Sequence, residues 1–205
     1  MYTLPSKNSY HHGNLKAALI AAALKELAHE GIEGVSLRSV ARRAGVSAPA
    51  VYRHFADKEA LLVAVAAECA DRLAAAMMAA VEDAPAHPLG RFRAIGVAVV
   101  RFAVANPEHF RALSLTGLAE RAPTPQRERE RLWAEAQQRS LADAQARGLI
   151  AKVPLDALML TADSAVWGLA RAIIDGRLGD VDDARATELA IAVTGVLGQG
   201  FLPRP

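Results

Sequence analysis

Apolar residues recur every three or four positions along most of this chain, in stretches separated by glycine or proline. One stretch carries Leu61, Val65, Cys69, Leu73 and Met77 in a single line. This spacing matches the period of an α-helix, and the alternation typical of a half-buried strand is not found. Ala, Leu, Glu and Arg are abundant and favour helices as well. The sequence therefore predicts an all-α fold with about nine helices.

Capping residues and helix breakers predict where these helices begin and end. For the first four helices the predicted limits are Asn14 to Gly31, Ser36 to Gly45, Ala48 to Phe55, and Asp57 onward. Later starts and stops are predicted at the Ala84–Pro88 break, Asn106-Pro107-Glu108, the Pro123 and Pro125 pair, Gly148, Pro154, Asp182 and Gly200. The fourth helix is long enough to join an N-terminal head to a larger helical body.

Composition favours a globular protein of the cytoplasm. Hydrophobic residues make up 52% of the 205 residues, which is enough for a sizeable core. The longest uncharged apolar stretch, Leu189 to Pro203, is too short to span a membrane. Cys69 is the only cysteine, so no intrachain disulfide can form and nothing indicates export.

Charge is distributed unevenly along the chain. Residues 1–58 carry eight basic and four acidic side chains, a net charge of +4, whereas the remainder has a net charge of −2. A basic head on a mildly acidic body suits a polyanionic partner that binds at one end of the molecule.

The segment Ser36–Phe55 has the layout of a helix-turn-helix motif. Its predicted buried positions are Leu37, Val40, Ala41, Val46 and Val51, and Gly45 supplies the tight turn between two short helices. Periodicity alone leaves a structural three-helix bundle open, with basic residues that are merely solvated. However, hydrogen-bond donors cluster at several helix ends, where they can converge on one surface. The pattern therefore favours insertion of the second helix into a DNA groove.

The same segment resembles the signature of TetR-family transcriptional regulators. The matching residues are Ala44-Gly45-Val46-Ser47, Tyr52-Arg53-His54-Phe55, and Lys58 with Leu61 and Leu62. The opening Tyr10-His11-His12-Gly13-Asn14-Leu15 is similar to that of one subgroup of the family. Together these matches cover about residues 10–63, and their fixed spacing makes chance agreement improbable.

The resemblance implies a homodimer that loses DNA affinity when an effector binds its body. It divides the chain into a DNA-binding domain, residues 1–58, and an effector-binding and dimerisation domain, residues 59–205. By position, the residues expected to contact DNA phosphates are Ser36, Ser47, Tyr52, His54 and Lys58. The residues expected to face the bases are Arg38, Ala48, Ala50 and Arg53.

The body has two candidate surfaces. Large or soft residues spread over several helices could line an apolar effector pocket: Met77, Met78, Phe92, Phe102, Phe110, Trp133, Met159 and Trp167. Two helices near the C-terminus are apolar on more than one side, so one side of each needs a partner. The predicted dimer interface comprises Leu158, Ala165, Leu169, Ile173, Leu189, Val193, Val196 and Leu197.

These observations predict a repressor, released from a palindromic operator in double-stranded DNA by a small, largely apolar effector. No metal is expected, because no carboxylate or cysteine accompanies His11-His12 at a suitable spacing. No cofactor is expected, because the glycines from Gly195 to Gly200 follow no strand. Two alternatives remain: a DNA-binding protein without effector control, architectural or antitoxin-like, and more remotely an all-α enzyme, although no nucleophile–base set is evident.

Overall fold

The computed structural model describes residues 12–113 and 124–202, and within these ranges it contains nine α-helices and no strand. The helices are α1 (His12–Gly34), α2 (Leu37–Ala44), α3 (Ala48–Tyr52), α4 (Lys58–Glu82), α5 (Pro88–Ala105), α6 (Pro107–Leu113), α7 (Thr124–Ala146), α8 (Leu155–Ile174) and α9 (Asp183–Gly200). The predicted all-α fold, with a three-helix head, a long fourth helix and a helical body, is confirmed.

Two helix ends differ from the sequence-based expectation. The first helix begins at His12, so the predicted cap at Asn14 is wrong; Gly31 does interrupt it, with φ 67°. The third helix ends at Tyr52 instead of Phe55. It ends early because the backbone tightens there, with the His54 N–H donating to the Val51 carbonyl three residues before it, at 2.9 Å.

Three residues to which the sequence patterns assigned a role fall outside the described residues. Tyr10 and His11, which open the subgroup motif, precede them, and the predicted helix-bounding Pro123 lies between the two described ranges.

The head has its own hydrophobic core, formed by α1, α2, α3 and the first half of α4. Its fully buried side chains include Leu19, Val40, Val51 and Leu61. Burying a side chain of this size contributes about 1.5–3 kcal/mol each. One ion pair also joins α1 to α2: the Arg43 guanidinium donates to the Glu26 carboxylate at 2.5 Å, which holds the pKa of Glu26 below its ordinary value.

Helix α4 connects the head to the body. The Asp57 side chain accepts a hydrogen bond from the Ala60 N–H at 2.8 Å, which confirms the predicted cap. The first half of α4, as far as Cys69, packs into the head core, whereas Leu73 packs into the body core. Burial raises the pKa of the Cys69 thiol to about 12, so this cysteine is the inert, buried residue that its position on the apolar stripe predicts.

Helix α5 is the centre of the body and packs against α4, α8 and α9. The close approach to α8 and α9 requires a glycine at position 96, because a Cβ there would lie 2.9 Å from Thr194 Cγ2 and 3.1 Å from Val166 Cγ2. A bidentate ion pair joins α5 to the start of α9: Arg101 donates to both carboxylate oxygens of Asp183 at 3.0 Å. The body is therefore held mainly by close apolar packing, to which this exposed, well-oriented charge pair adds.

Helix α8 is long and apolar enough, by length and composition, to cross a membrane. Its buried side chains Leu158, Val166 and Ala170 nevertheless pack against other parts of the chain, and Asp156, Asp163 and Arg171 interrupt its apolar surface. Packing within the body accounts for part of this composition.

Candidate nucleic-acid interface and ligand cavity

Ser36 fixes the start of α2 through a reciprocal pair of hydrogen bonds. The Ser39 N–H donates to Ser36 Oγ, and the Ser36 N–H donates to Ser39 Oγ, both at 3.0 Å. This capping box satisfies two backbone donors that the helix leaves unpaired. The Ser36 side chain is exposed, so the same residue both ends the preceding loop and presents polar atoms to solvent.

Gly45 supplies the turn between α2 and α3, as the sequence predicts. Its φ of 69° is left-handed, a conformation that costs glycine no steric strain. The Gly45 and Val46 N–H groups donate to the Arg42 and Ala41 carbonyls at 3.2 and 3.0 Å. These bonds close the end of α2 just before the chain enters α3.

The buried side chains Val51 and Phe55 hold α3 against the head core and leave its other side open. All nine residues predicted to contact DNA retain solvent-accessible side chains. Ser36, Arg38, Ser47, Tyr52 and Arg53 are exposed, and Ala48, Ala50, His54 and Lys58 are half-buried. We define these nine residues as the candidate DNA surface.

Lys58 begins α4 and reaches across to α1. Its Nζ donates to the Glu33 carbonyl at 3.4 Å, which ties the start of α4 to the end of α1. An ammonium group has three donors, so two remain for a further acceptor such as a phosphate.

Pro49 was not among the residues predicted to contact DNA, yet it is exposed between Ala48 and Ala50 at the start of α3. Sequence reasoning treated it only as a residue that helix starts tolerate. Its place between Ala48 and Ala50, both of which were predicted to face the bases, was the sequence signal.

The body encloses a cavity of about 260 Å³ between α4, α5, α7, α8 and α9. This is slightly below the usual range for small-molecule sites, about 300–1,000 Å³. Five of the eight predicted pocket residues line the cavity: Met77, Phe92, Trp133, Met159 and Trp167. Its walls are mainly apolar, and they come from five helices, as the distribution of large residues suggested.

Three predicted pocket residues lie elsewhere. Met78 is 51% exposed, because it follows Met77 by one position and so points about 100° away around the helix. Phe102 is buried but borders a separate, open groove between α4 and α5. Phe110 is fully buried, with its ring centroid 4.5 Å from that of Trp167, so it supports the cavity wall without lining it.

Polar groups also line the cavity, and a search for large apolar residues missed them. They include Arg93, Gln137, Asp163 and Thr194. The Thr194 hydroxyl is already used, donating to the Ala190 carbonyl at 2.7 Å. Asp163 is different: the surrounding protein raises the pKa of its carboxyl by desolvation, and no described residue donates a hydrogen bond or an ion pair to it. The sequence signal for this carboxyl in the cavity wall was the presence of a charged residue within the apolar stripe of α8.

The predicted dimer residues are divided between the interior and the surface of the chain. Leu158 and Ile173 are buried in the body cores, so little of either side chain is left for a partner, and Leu197 is half-buried and lines the cavity. Ala165, Leu169, Leu189 and Val193 are half-buried, and Val196 is 70% exposed.

The free side of α9 also exposes Ile191, which is 46% accessible. Gly168 on α8 and Gly195 on α9 have open space where a side chain would be, so another helix could approach them closely. We define Val196, Ile191, Gly195 and Gly168 as the α8–α9 surface. In the described ranges, no group of three or more His, Cys, Asp or Glu residues could hold a metal ion.

Comparison with known proteins places these features in a family. The family described as bacterial regulatory proteins, tetR family, matches residues 19–65. Over 51 residues the chain is 47% identical to the tetracycline repressor protein class C of Escherichia coli, which covers 25% of this chain and 23% of the repressor. The chain thus spans only about a quarter of the length of the curated relatives that it matches.

Solved structures are similar along nearly the whole chain. A protein of unknown function from Rhodococcus sp. RHA1 is 32% identical, with a TM-score of 0.76 over 96% of this chain and 100% of the other. A TetR family transcription regulator from Marinobacter aquaeolei VT8 is 20% identical and also has a TM-score of 0.76, over 94% of this chain and 97% of the other.

Proposed function

This chain belongs to the TetR family of bacterial regulatory proteins, and on that basis we propose that it is a dimeric, cytoplasmic repressor of transcription. In this proposal residues 1–58 bind DNA, and residues 59–205 bind an effector and dimerise. The observation that carries the proposal is the candidate DNA surface, where a capped helix-turn-helix leaves nine predicted contact residues accessible on the basic end of the chain.

The composition of the candidate DNA surface supports two kinds of contact. The small side chains of Ala48 and Ala50 allow the backbone of α3 to approach base edges closely. Arg53 adds a planar guanidinium with five donors, which can pair with guanine O6 and N7. Lys58 lies at the first turn of α4, where its ammonium and the free helix amides can meet one phosphate together.

Selection of genomic DNA fragments by the purified protein tests the proposal. We expect an inverted repeat, because a two-fold dimer presents two heads, with half-sites roughly 34–36 Å apart or a multiple of that distance. A monomer in solution that selects an asymmetric site would contradict the proposal. The genes beside the selected fragments would also indicate what the protein regulates.

A pair of substitutions separates positioning from base reading. Lys58→Ala should weaken binding to all DNA by a similar factor and lower the salt slope by about one unit, since phosphate contact carries no sequence information. Arg53→Ala should cost about 1–3 kcal/mol and relax discrimination at one base pair. The measurement is affinity for the operator and its single-base variants at two salt concentrations. If Arg53→Ala weakens every variant equally, Arg53 holds a phosphate, and Arg38 with the Ala48–Ala50 surface reads the sequence.

The cavity supports control by a small, largely apolar effector over the alternative of a DNA-binding protein without one. A continuous set of contacts leads from the cavity to the head. Trp167 lines the cavity and packs against Phe110 of α6, and Ala112 of the same helix belongs to the head core. Arg111 also donates to the Ile174 carbonyl at the end of α8, at 2.5 Å.

Movement of α6 on effector binding could therefore change the position of the head. A coupling of about 1–3 kcal/mol would weaken DNA binding by about 5–150-fold, and DNA would weaken effector binding by the same factor.

The α8–α9 surface supports dimerisation. Its exposed apolar side chains, Ile191 and Val196, lie beside Gly195, where nothing obstructs close approach. A two-fold pairing of α8 and α9 with those of a second copy would form a four-helix interface and cover these side chains.

A further inference from the structure

The first half of α7 is held against the body by little apolar packing. Near its middle, three residues of this helix line the cavity: Trp133, Ala134 and Gln137. Every side chain of residues 127–132 is exposed. In the second half, by contrast, Leu141 and Ala144 are buried in a core cluster together with Leu158 of α8. The helix is therefore anchored to the body by its second half.

Ion pairs within α7 stabilise its first half. Arg131 donates to Glu128 at 2.6 Å and to Glu135 at 2.5 Å, so it joins the turn before it to the turn after it. Arg139 pairs with the same Glu135 at 3.7 Å. Pairs at this spacing support a helix through its own side chains, whether or not a neighbouring helix is in contact. The first half of α7 can therefore move away from the body as a helical unit.

Two polar contacts join this half of α7 to α4. Arg129 donates to the Asp71 carboxylate at 2.7 Å, and each of these side chains is more than half exposed. The Gln126 side-chain amide donates to the Ala67 carbonyl at 3.4 Å. We define these two contacts as the latch. An exposed ion pair is weak, because water screens it, so the latch can break and re-form readily.

The other walls of the cavity are packed against one another. Helix α5 packs against α4, α8 and α9, and α8 also packs against α9. Separating any of these helices would expose buried side chains such as Val100 and Val166. Moving the first half of α7 exposes much less, because residues 127–132 have no buried side chain. The route into the cavity that disrupts the least packing therefore passes under α7.

We propose that residues 126–135 of α7 form a lid through which ligands enter the cavity, and that the latch on α4 holds this lid closed. In the open state the lid turns about the anchored second half of the helix and remains supported by its own ion pairs. The ligand that enters is the effector of the proposed function, so the inference rests on that proposal. The movement itself is a property of the ligand-free protein and is tested there.

A cysteine placed in the cavity wall measures how often the cavity opens. Val99 of α5 lines the cavity and is 4% exposed, so Val99→Cys should react with a small thiol reagent, methyl methanethiosulfonate, when the lid is open. The natural Cys69 is 1% exposed in the head core and is the internal control, because it becomes accessible only if that core opens. The full-length protein is labelled without ligand, and mass spectrometry of its peptides separates the two sites.

Variants of α4 test the latch without altering the sequence of the lid. Labelling follows the population of the open state, so Asp71→Asn should raise the rate at Val99→Cys by about 2- to 5-fold, from the strength of an exposed ion pair. Adding Gln126→Ala removes both latch contacts and should raise the rate by about 5- to 50-fold. Glu68→Gln is the matched control and should leave the rate unchanged, because Glu68 is also an α4 acid but its partner Arg72 lies on α4 as well.

A rate at position 99 that is the same with Asp71→Asn as with Glu68→Gln overturns the inference. Labelling of Cys69 at the rate of position 99 overturns it too, because the reagent would then enter by unfolding of the chain.

Operator release is measured separately, by fluorescence anisotropy of labelled DNA, with N-phenyl-1-naphthylamine as a neutral, apolar probe. Labelling that depends on the latch, together with a probe that leaves the DNA bound, would support the lid and contradict control by an apolar effector. Release of the DNA by the probe, together with labelling that does not depend on the latch, would support effector control and overturn the lid.

Discussion

Val196→Glu is expected to convert the proposed dimer to a monomer and to weaken operator binding by about 10²- to 10⁴-fold. Val196 is 70% exposed in the single chain, on the free side of α9. If the α8–α9 surface pairs with a second copy, the substitution places two like charges in an apolar interface, where they cannot be solvated. Loss of the dimer removes the advantage of binding two half-sites at once, which accounts for the large effect on DNA.

Leu132→Glu is the control for this substitution. Leu132 is also an exposed apolar residue, 49% accessible, but it lies on α7 and is not one of the residues of the α8–α9 surface. The oligomeric state of both variants is measured by sedimentation velocity, and their DNA affinity by operator titration. Circular dichroism confirms that both are folded. A Val196→Glu protein that remains a dimer places the interface elsewhere on the chain.

Phe110→Ala is expected to lower the free energy of unfolding by about 3–5 kcal/mol, the usual range for an aromatic residue removed from a core. The Phe110 side chain has no exposed surface and packs against Trp167 at a ring-centroid distance of 4.5 Å. Truncation leaves a void between α6 and the cavity wall, and the tryptophan loses one of its supports. The measurement is chemical denaturation at a fixed protein concentration, because the proposed dimerisation would also contribute to stability.

Met78→Ala serves as the comparison for Phe110. It removes a large side chain that is 51% exposed, and it should change the free energy of unfolding by less than about 0.5 kcal/mol. Phe110→Leu keeps most of the buried volume and should recover much of the lost stability. A cost for Phe110→Ala no greater than that of Met78→Ala would contradict the packing described around α6.

The head could be predicted in detail because its determinants are local. Ser36 and Gly45 act through hydrogen bonds to residues within four or five positions, so the sequence around them is enough to place α2 and the turn. The same holds for Asp57 at the start of α4. The limit of α3 was less accurate, because the sequence allows helical residues up to Phe55 and only the packing of Val51 and Phe55 tightens the last turn.

The body could be predicted only in outline, because its residues are sorted by contacts between distant helices. Periodicity identifies the apolar residues of α9, but it cannot tell that Leu197 lines the cavity while Val196, its neighbour, is exposed. The same limit separates Met77 from Met78 on α4. Asp163 was missed for another reason: apolar lining residues were sought, and a carboxyl within the wall is recognised only when the surrounding helices are in place.

The burial of Cys69 makes the natural chain suitable for site-directed labelling. Its side chain is 1% exposed and its thiol has a pKa of about 12, so at neutral pH almost none of it is the reactive thiolate. A cysteine introduced at an exposed head position such as Ser47 would then be the preferred target of a maleimide reagent. In a two-fold dimer, one spin label per chain forms a single pair. Double electron–electron resonance between the two labels would report the distance that separates the two heads with and without ligand.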